Sequence, residues 1–244
     1  IQKESDKAVS AGRPAVRTRQ VGGALYAFLP VEEAAQSRQA REIRRILAEY
    51  GIPSDIVYGT QANAGGVTRR VQGEAIALPD GSVLIKNDAA LDKDGRALSS
   101  PKEIAAHEMT HEAKRIAPEE YQQYYDTVTD GNIDFSSKDC IDFTSSIIKY
   151  YFTDHGRTFD ITTDYPALYN EVAAFIGGDL FDNEARARET YSPMFHDFDA
   201  VADAWRRMEA AVRAKAGARE EARAAEDTAA PQDFTGLLLR SVLG

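Results

Sequence analysis

The chain reads as an α+β protein: a small mixed or antiparallel sheet with a hairpin, then one strongly signalled helix, then a mainly helical part. Three observations predict this. Short apolar runs separated by turn residues are gathered before residue 87. After Pro118, apolar residues recur at helical spacing instead. Between the two regions, Ser100-Pro101-Lys102-Glu103 forms a capping box with proline at the first helical position.

Composition narrows the function classes. With 244 residues, 43% hydrophobic and 28% charged, the chain can bury a sizeable core. A net charge of −10 argues against a nucleic-acid surface, which needs clustered positive potential. No run of about 18 apolar residues exists, so no membrane span and no membrane partner are expected. The single Cys140 excludes an internal disulfide and a cysteine-based metal site. It reads as a small buried hydrophobe and is compatible with a reducing compartment, so a cytoplasmic location is expected, with secretion after processing left open. The start, Ile1-Gln2-Lys3-Glu4-Ser5, has neither an initiator Met nor an apolar leader and reads as a piece of a longer polypeptide with neighbouring domains.

Taken in order, residues 1–22 are polar and basic-leaning, with Gly12, Pro14 and Gly22-Gly23, and read as a tail or linker. Ala24 to Leu29, closed by Pro30, suits an edge strand or a packing arm. A helix is predicted from Val31 to Tyr50, on the stripe Ile43, Ile46, Leu47 and Tyr50, with Gly51 after its end. Asp55 to Tyr58 reads as a strand, Gln61 to Gly66 as a loop and Val67 to Val71 as a second strand. Glu74–Leu78 and Ser82–Lys86, joined by Pro79-Asp80-Gly81, form a hairpin. The helix opened by Ser100 runs to about Ile116 and is stopped by Pro118.

Further helices are predicted from Glu119 to about Thr127, from about Cys140 to Phe152, and from an N-cap at Asp164 to Gly177-Gly178 or beyond. Ser192-Pro193 opens a last long helix with Phe198, Val201, Ala202, Trp205, Met208 and Val212 as its buried stripe. From Arg213 the Ala/Arg/Glu composition is that of a solvated helix or an exit, with Leu237-Leu238-Leu239 and Val242 as a short apolar end. The organisation expected is therefore a tail and arm over 1–30, one domain over 31–212 (sheet part 31–117, helical part 118–212) and an exit over 213–244.

The Ser100 helix carries His107-Glu108-Met109-Thr110-His111, an H-E-x-x-H pattern holding two of the chain's four histidines. Residues four apart on a helix lie about 40° apart around its axis. His107 and His111 can therefore offer two imidazoles to one zinc ion, and Glu108 can take a proton from a water that the ion activates. A solvated face carrying two histidines is the bland alternative. Ile104, Ala105, Met109 and Ile116 speak against it, because they set the triad into a packed helix.

Two histidines do not make a site. The extension H-E-x-x-H-x-x-G-x-x-H is absent, since Lys114 and Ala117 occupy the decisive positions. Glu171 is the best third ligand: it lies between Leu168 and Ile176 in an apolar helix, where a carboxylate is costly unless paired or metal-bound. Ala173, Ala174 and the two glycines would let that helix approach another closely. Asp160, Asp164, His155 and His196 are the other candidates.

These residues resemble the gluzincin metallopeptidases. His107-Glu108-Met109-Thr110-His111 followed by Asn170-Glu171, with Ala174, is closest to the compact members found in phage and mobile-element proteins. The resemblance covers about residues 31–185 and implies a zincin-like fold, one zinc ion held by His107, His111 and Glu171, Glu108 as general base, and a protein or peptide substrate. It also implies that strand Ser82–Lys86 presents an edge to the substrate backbone. The chain departs from the family in its long His111-to-Glu171 gap and in Phe175, where thermolysin-type members have an acidic residue; Asp179 is the substitute partner for a ligand histidine. His155, Tyr165, Tyr169, Tyr191 and His196 are candidate oxyanion donors. The rival reading is a non-catalytic zinc-binding scaffold or interaction module, which has no use for Glu108.

Overall fold

In a computed structural model, residues 15–64, 67–71, 74–89, 99–151, 153 and 158–229 are described. The fold is α+β. Strands β1 (Arg17–Val21), β2 (Ala24–Pro30), β3 (Ser54–Ala64), β4 (Val67–Val71), β5 (Ala75–Ala77) and β6 (Val83–Lys86) form one mixed sheet. Its order is β1-β2-β3-β6-β5, with β4 on the far half of β3. All neighbours are antiparallel except β3 and β6, which run parallel.

The N-terminal part differs from the sequence expectation. Arg17–Val21 is a strand rather than a tail, paired with β2 across a tight turn in which Val21 faces Ala24. Gly22 and Gly23 both have positive φ, 56° and 78°, as a two-residue hairpin turn of this hand requires. β2 consequently lies inside the sheet, between β1 and β3. β3 continues through the stretch expected as a loop, because its second half is paired on both sides, by β2 and β4.

Helix α1 (Arg38–Glu49) starts later than expected. The Val31 amide is taken by the Ile56 carbonyl at 2.9 Å, and a 3-10 turn at Glu33–Ala35 follows. Ser37 then caps the helix: its hydroxyl accepts from Ala40 N at 3.1 Å, and its own amide donates to Asn87 Oδ1 at 2.8 Å. Ile43, Ile46, Leu47 and Tyr50 are buried against Ile56, Val83 and Ile85 of the sheet and Met109 and Ala113 of the next helix.

That helix, α2 (Pro101–Ile116), has the expected bounds, with Ser100 accepting from Lys102 N. It is buried on most sides, from Ile104 and Ala105 to Met109, Ala113 and Ile116. α3 (Pro118–Thr129) and α4 (Lys138–Tyr151) lie close to expectation, and α5 (Tyr165–Asp182) packs along α2. The two glycines of α5 make that approach possible: a Cβ on Gly178 would lie 2.7 Å from the Glu103 carbonyl oxygen. One on Gly177 would lie 2.6 Å from the Thr110 hydroxyl and 2.5 Å from Trp205 Nε1.

A further helix that the sequence pattern does not predict, α6 (Glu184–Tyr191), is capped by Asn183. Ser192-Pro193 opens only a 3-10 turn, not the last helix. Phe195 is extended and bridges Ile133, fixed by Asp134 N to Met194 O at 2.8 Å and His196 N to Asn132 O at 2.7 Å. α7 (Phe198–Ala229) therefore starts at Phe198 and packs along α3. It is pinned to α1 through Tyr50, whose hydroxyl donates to Glu209 at 2.7 Å and lies 2.8 Å from Arg213 Nη2. The apolar end at Leu237–Val242 lies outside the described residues, and no described helix is long and apolar enough to cross a membrane.

Candidate metal centre

α2 supplies His107 and His111 one turn apart, and α5 brings Glu171 against both. The two Nε2 atoms are 3.1 Å apart. His107 Nε2 is 3.5 Å from Glu171 Oε2, and His111 Nε2 is 3.7 Å from Glu171 Oε1. Donor atoms at about 2.0–2.1 Å from a tetrahedral ion stand about 3.3 Å from one another, and these separations are of that order, although the two histidines approach different oxygens of Glu171. The donors are also mutually compatible with a cation and poorly with its absence. Glu171 Oε2 is buried with no hydrogen-bond partner, a costly state for a carboxylate oxygen. The side chains are 13%, 22% and 20% exposed, so the group is mostly but not wholly shielded from solvent. Together they form a group that could hold a metal ion.

The electrostatics follow from burial and proximity. Burial works to raise the Glu171 carboxyl, but the two imidazoles beside it hold it below the usual carboxylate range. Burial works to lower His111, and the Glu171 hydrogen bond and charge override it, so its pKa is raised. Glu108 is 7% exposed, and burial raises its pKa despite the nearby histidines.

Two features were not legible in the sequence. Tyr151, at the end of α4, sits beside the site: burial first, then the Glu171 charge, push its phenol well up. In the sequence it is one of several apolar positions of α4, with nothing to set it apart. Phe175 stands where thermolysin-type members are acidic, and its ring packs on His107 with centroids 4.8 Å apart. Phe143 and Tyr151 lie behind it, each 6.3 Å away. Glu112, one residue past His111, is buried and bonded to Arg115 at 2.9 Å.

The remaining expected residues go elsewhere. Asp179 accepts from the Tyr191 hydroxyl and from Arg186, both at 2.6 Å, so both of its oxygens serve α6. This also commits Tyr191. Tyr165 donates to Tyr169 at 3.0 Å, and Tyr169 packs under Phe135. His196 belongs to the Ile133–Phe195 bridge. Asp160 accepts from Thr162, and Asp164 accepts from the Asp160 amide, so this pair closes its own turn. His155 lies outside the described residues.

The expected substrate edge is corrected as well. β6 is paired on both sides, by β3 and β5, so Ser82–Lys86 offers no free edge. The edge is β5, which among the described residues has no strand on its outer side. Glu74 accepts from Lys86 N, and Leu78 N donates to Ser82 O, so the even-numbered positions face β6. By the alternation of an antiparallel ladder, the amides and carbonyls of Ala75 and Ala77 point outward.

No family model, curated protein or solved structure matches the chain.

Proposed function

We propose that the chain is a zinc-dependent endopeptidase of gluzincin type, hydrolysing peptide bonds with Glu108 as general base. The observation that carries this reading is the meeting of His107, His111 and Glu171 at tetrahedral-edge distances beside the buried carboxylate of Glu108. A two-nitrogen, one-oxygen donor set suits zinc, and three protein ligands leave a position for chemistry.

When bound there, zinc supplies Lewis acidity, polarising a carbonyl and lowering the pKa of water. The chain's own residues do the rest. Outward groups of Ala75 and Ala77 hold the substrate backbone by strand addition. Glu108 takes the proton of the attacking water and returns it to the leaving nitrogen; a carboxyl raised by burial is suited to both halves of that transfer. The Tyr151 phenol, whose ring packs on Phe175 beside His107, supplies a donor for the developing oxyanion.

The test is a peptide-library digest by the zinc-loaded chain and by Glu108→Gln. The wild type cleaves, and the variant keeps its zinc and does not. Equal cleavage by both would remove Glu108 from the mechanism.

A further inference from the structure

Two tyrosines one turn apart on α3 reach across to α5 on either side of Glu171. Tyr121 and Tyr124 are both buried. The Tyr121 hydroxyl donates to Asn170 Oδ1 at 2.7 Å, and the Tyr124 hydroxyl donates to the Ala173 carbonyl, also at 2.7 Å. The three-residue step is the same on both helices, so the bonds form two successive rungs with Glu171 between them. The acceptor of the second rung is main chain, so that bond holds the helix itself. The first donor is steadied on its own helix, where the Tyr125 ring stacks on Tyr121 with centroids 6.1 Å apart.

These rungs supply what the seam between α2 and α5 lacks. Gly177 and Gly178 let the two helices approach, nearly two turns beyond Glu171, but a glycine has no side chain with which to fix the rotation of its helix. Rotation decides where Glu171 points. A turn of about 10° moves an atom about 6 Å from a helix axis by about 1 Å, and a binding constellation tolerates roughly 0.5 Å. Glu171 Oε2 has no hydrogen-bond partner, so the direction of that oxygen is set by the helix that carries it. We propose that Tyr121 and Tyr124 are positioning residues for zinc: they lock the rotation of α5 so that Glu171 meets His107 and His111. This assignment rests on the metal site of the reading above.

The test is zinc affinity, measured by competition with a chromophoric chelator, beside denaturant melts of the zinc-free chains. Tyr121→Phe and Tyr124→Phe keep the rings and delete one rung each. Tyr191→Phe is the matched control: it also deletes a hydroxyl bond to α5, but at Asp179, two turns past Glu171. Tyr121→Phe and Tyr124→Phe should each weaken zinc about tenfold or more, the usual effect of losing an outer partner of a metal ligand. Asn170→Ala should match Tyr121→Phe, and the double variant should lose no more than either single one. Tyr191→Phe should lower the melting midpoint and leave zinc affinity as it was. Wild-type affinity in both rung variants, or an equal loss in Tyr191→Phe, would overturn the positioning role. If the wild type itself takes up no zinc, the metal site fails and this role falls with it. A chain that shows the expected zinc pattern and cuts no peptide keeps the role of α3 and loses only the peptidase reading.

Discussion

The Nε2 atoms of His107 and His111 stand 3.1 Å apart, and the carboxylate of Glu171 caps both. Two imidazole nitrogens facing each other across this distance repel unless a proton or a cation lies between them. Elemental analysis of the purified chain is therefore expected to find about one zinc per chain, since the three donors together make one three-ligand set. Glu171→Ala should lose most of it. Full zinc retention in that variant would break the His-His-Glu assignment.

The burial of Glu108 has a stability cost that depends on pH. Its pKa is raised in the fold, so its contribution is fully present only below the unfolded value of 4.5 and is lost as pH rises through the folded value. Metal-free Glu108→Gln should thus melt above the metal-free wild type at neutral pH. The gap should narrow as pH falls toward 4.5. Thermal melts across that range check the sign, and a gap that widens in acid would contradict it.

Tyr151→Phe keeps the ring packing on Phe175 and deletes only the hydroxyl. Loss of one oxyanion donor lowers kcat by about a hundredfold with little change in KM. Zinc content should stay near the wild-type level. A variant with unchanged kcat would reduce Tyr151 to a packing residue.

Gly178→Ala tests the seam between α2 and α5. In an open helix this change is stabilising. Here the new methyl would sit 2.7 Å from the Glu103 carbonyl oxygen, and that atom is backbone. The expected cost is about 1–3 kcal/mol, together with weaker zinc binding as Glu171 is moved off the histidines. Denaturant melts and zinc titration measure the two effects.

Ala77→Pro removes an outward amide of β5 without touching a ladder bond to β6. KM for peptides should rise roughly tenfold, the effect of one or two lost backbone hydrogen bonds, with zinc content and melting temperature kept. An unchanged KM would take β5 out of substrate binding.

The elements that were legible in the sequence are those with local chemistry. α2 could be bounded at both ends because Ser100, Pro101 and Pro118 act within a few residues of themselves. Glu171 could be singled out because a carboxylate in an apolar helix needs a reason. β1 is not legible although Gly22-Gly23 is a hairpin signal, because Arg17–Val21 has no apolar alternation to accompany it. The late start of α1 depends on Ile56, and the 3-10 turn at Ser192–Met194 depends on Ile133; neither partner is near in sequence. Which strand is the edge could not be read either, since the parallel pairing of β3 with β6 is a property of the whole sheet. Tyr151 was hidden for the same reason: its role is set by α5.

The chain has one tryptophan, and Trp205 places its unpartnered indole nitrogen against Gly177, beside the Thr110 hydroxyl. Thr110 immediately precedes His111. Fluorescence excited at wavelengths that tyrosine does not absorb therefore originates from a single emitter lodged behind the ligand-bearing helices. Any shift of α5 relative to α2, whether from loading an ion, stripping it with a chelator or filling the cleft, changes the polarity and quenching around that one ring. The chain carries its own optical gauge of the seam, and it can be followed in real time without a label.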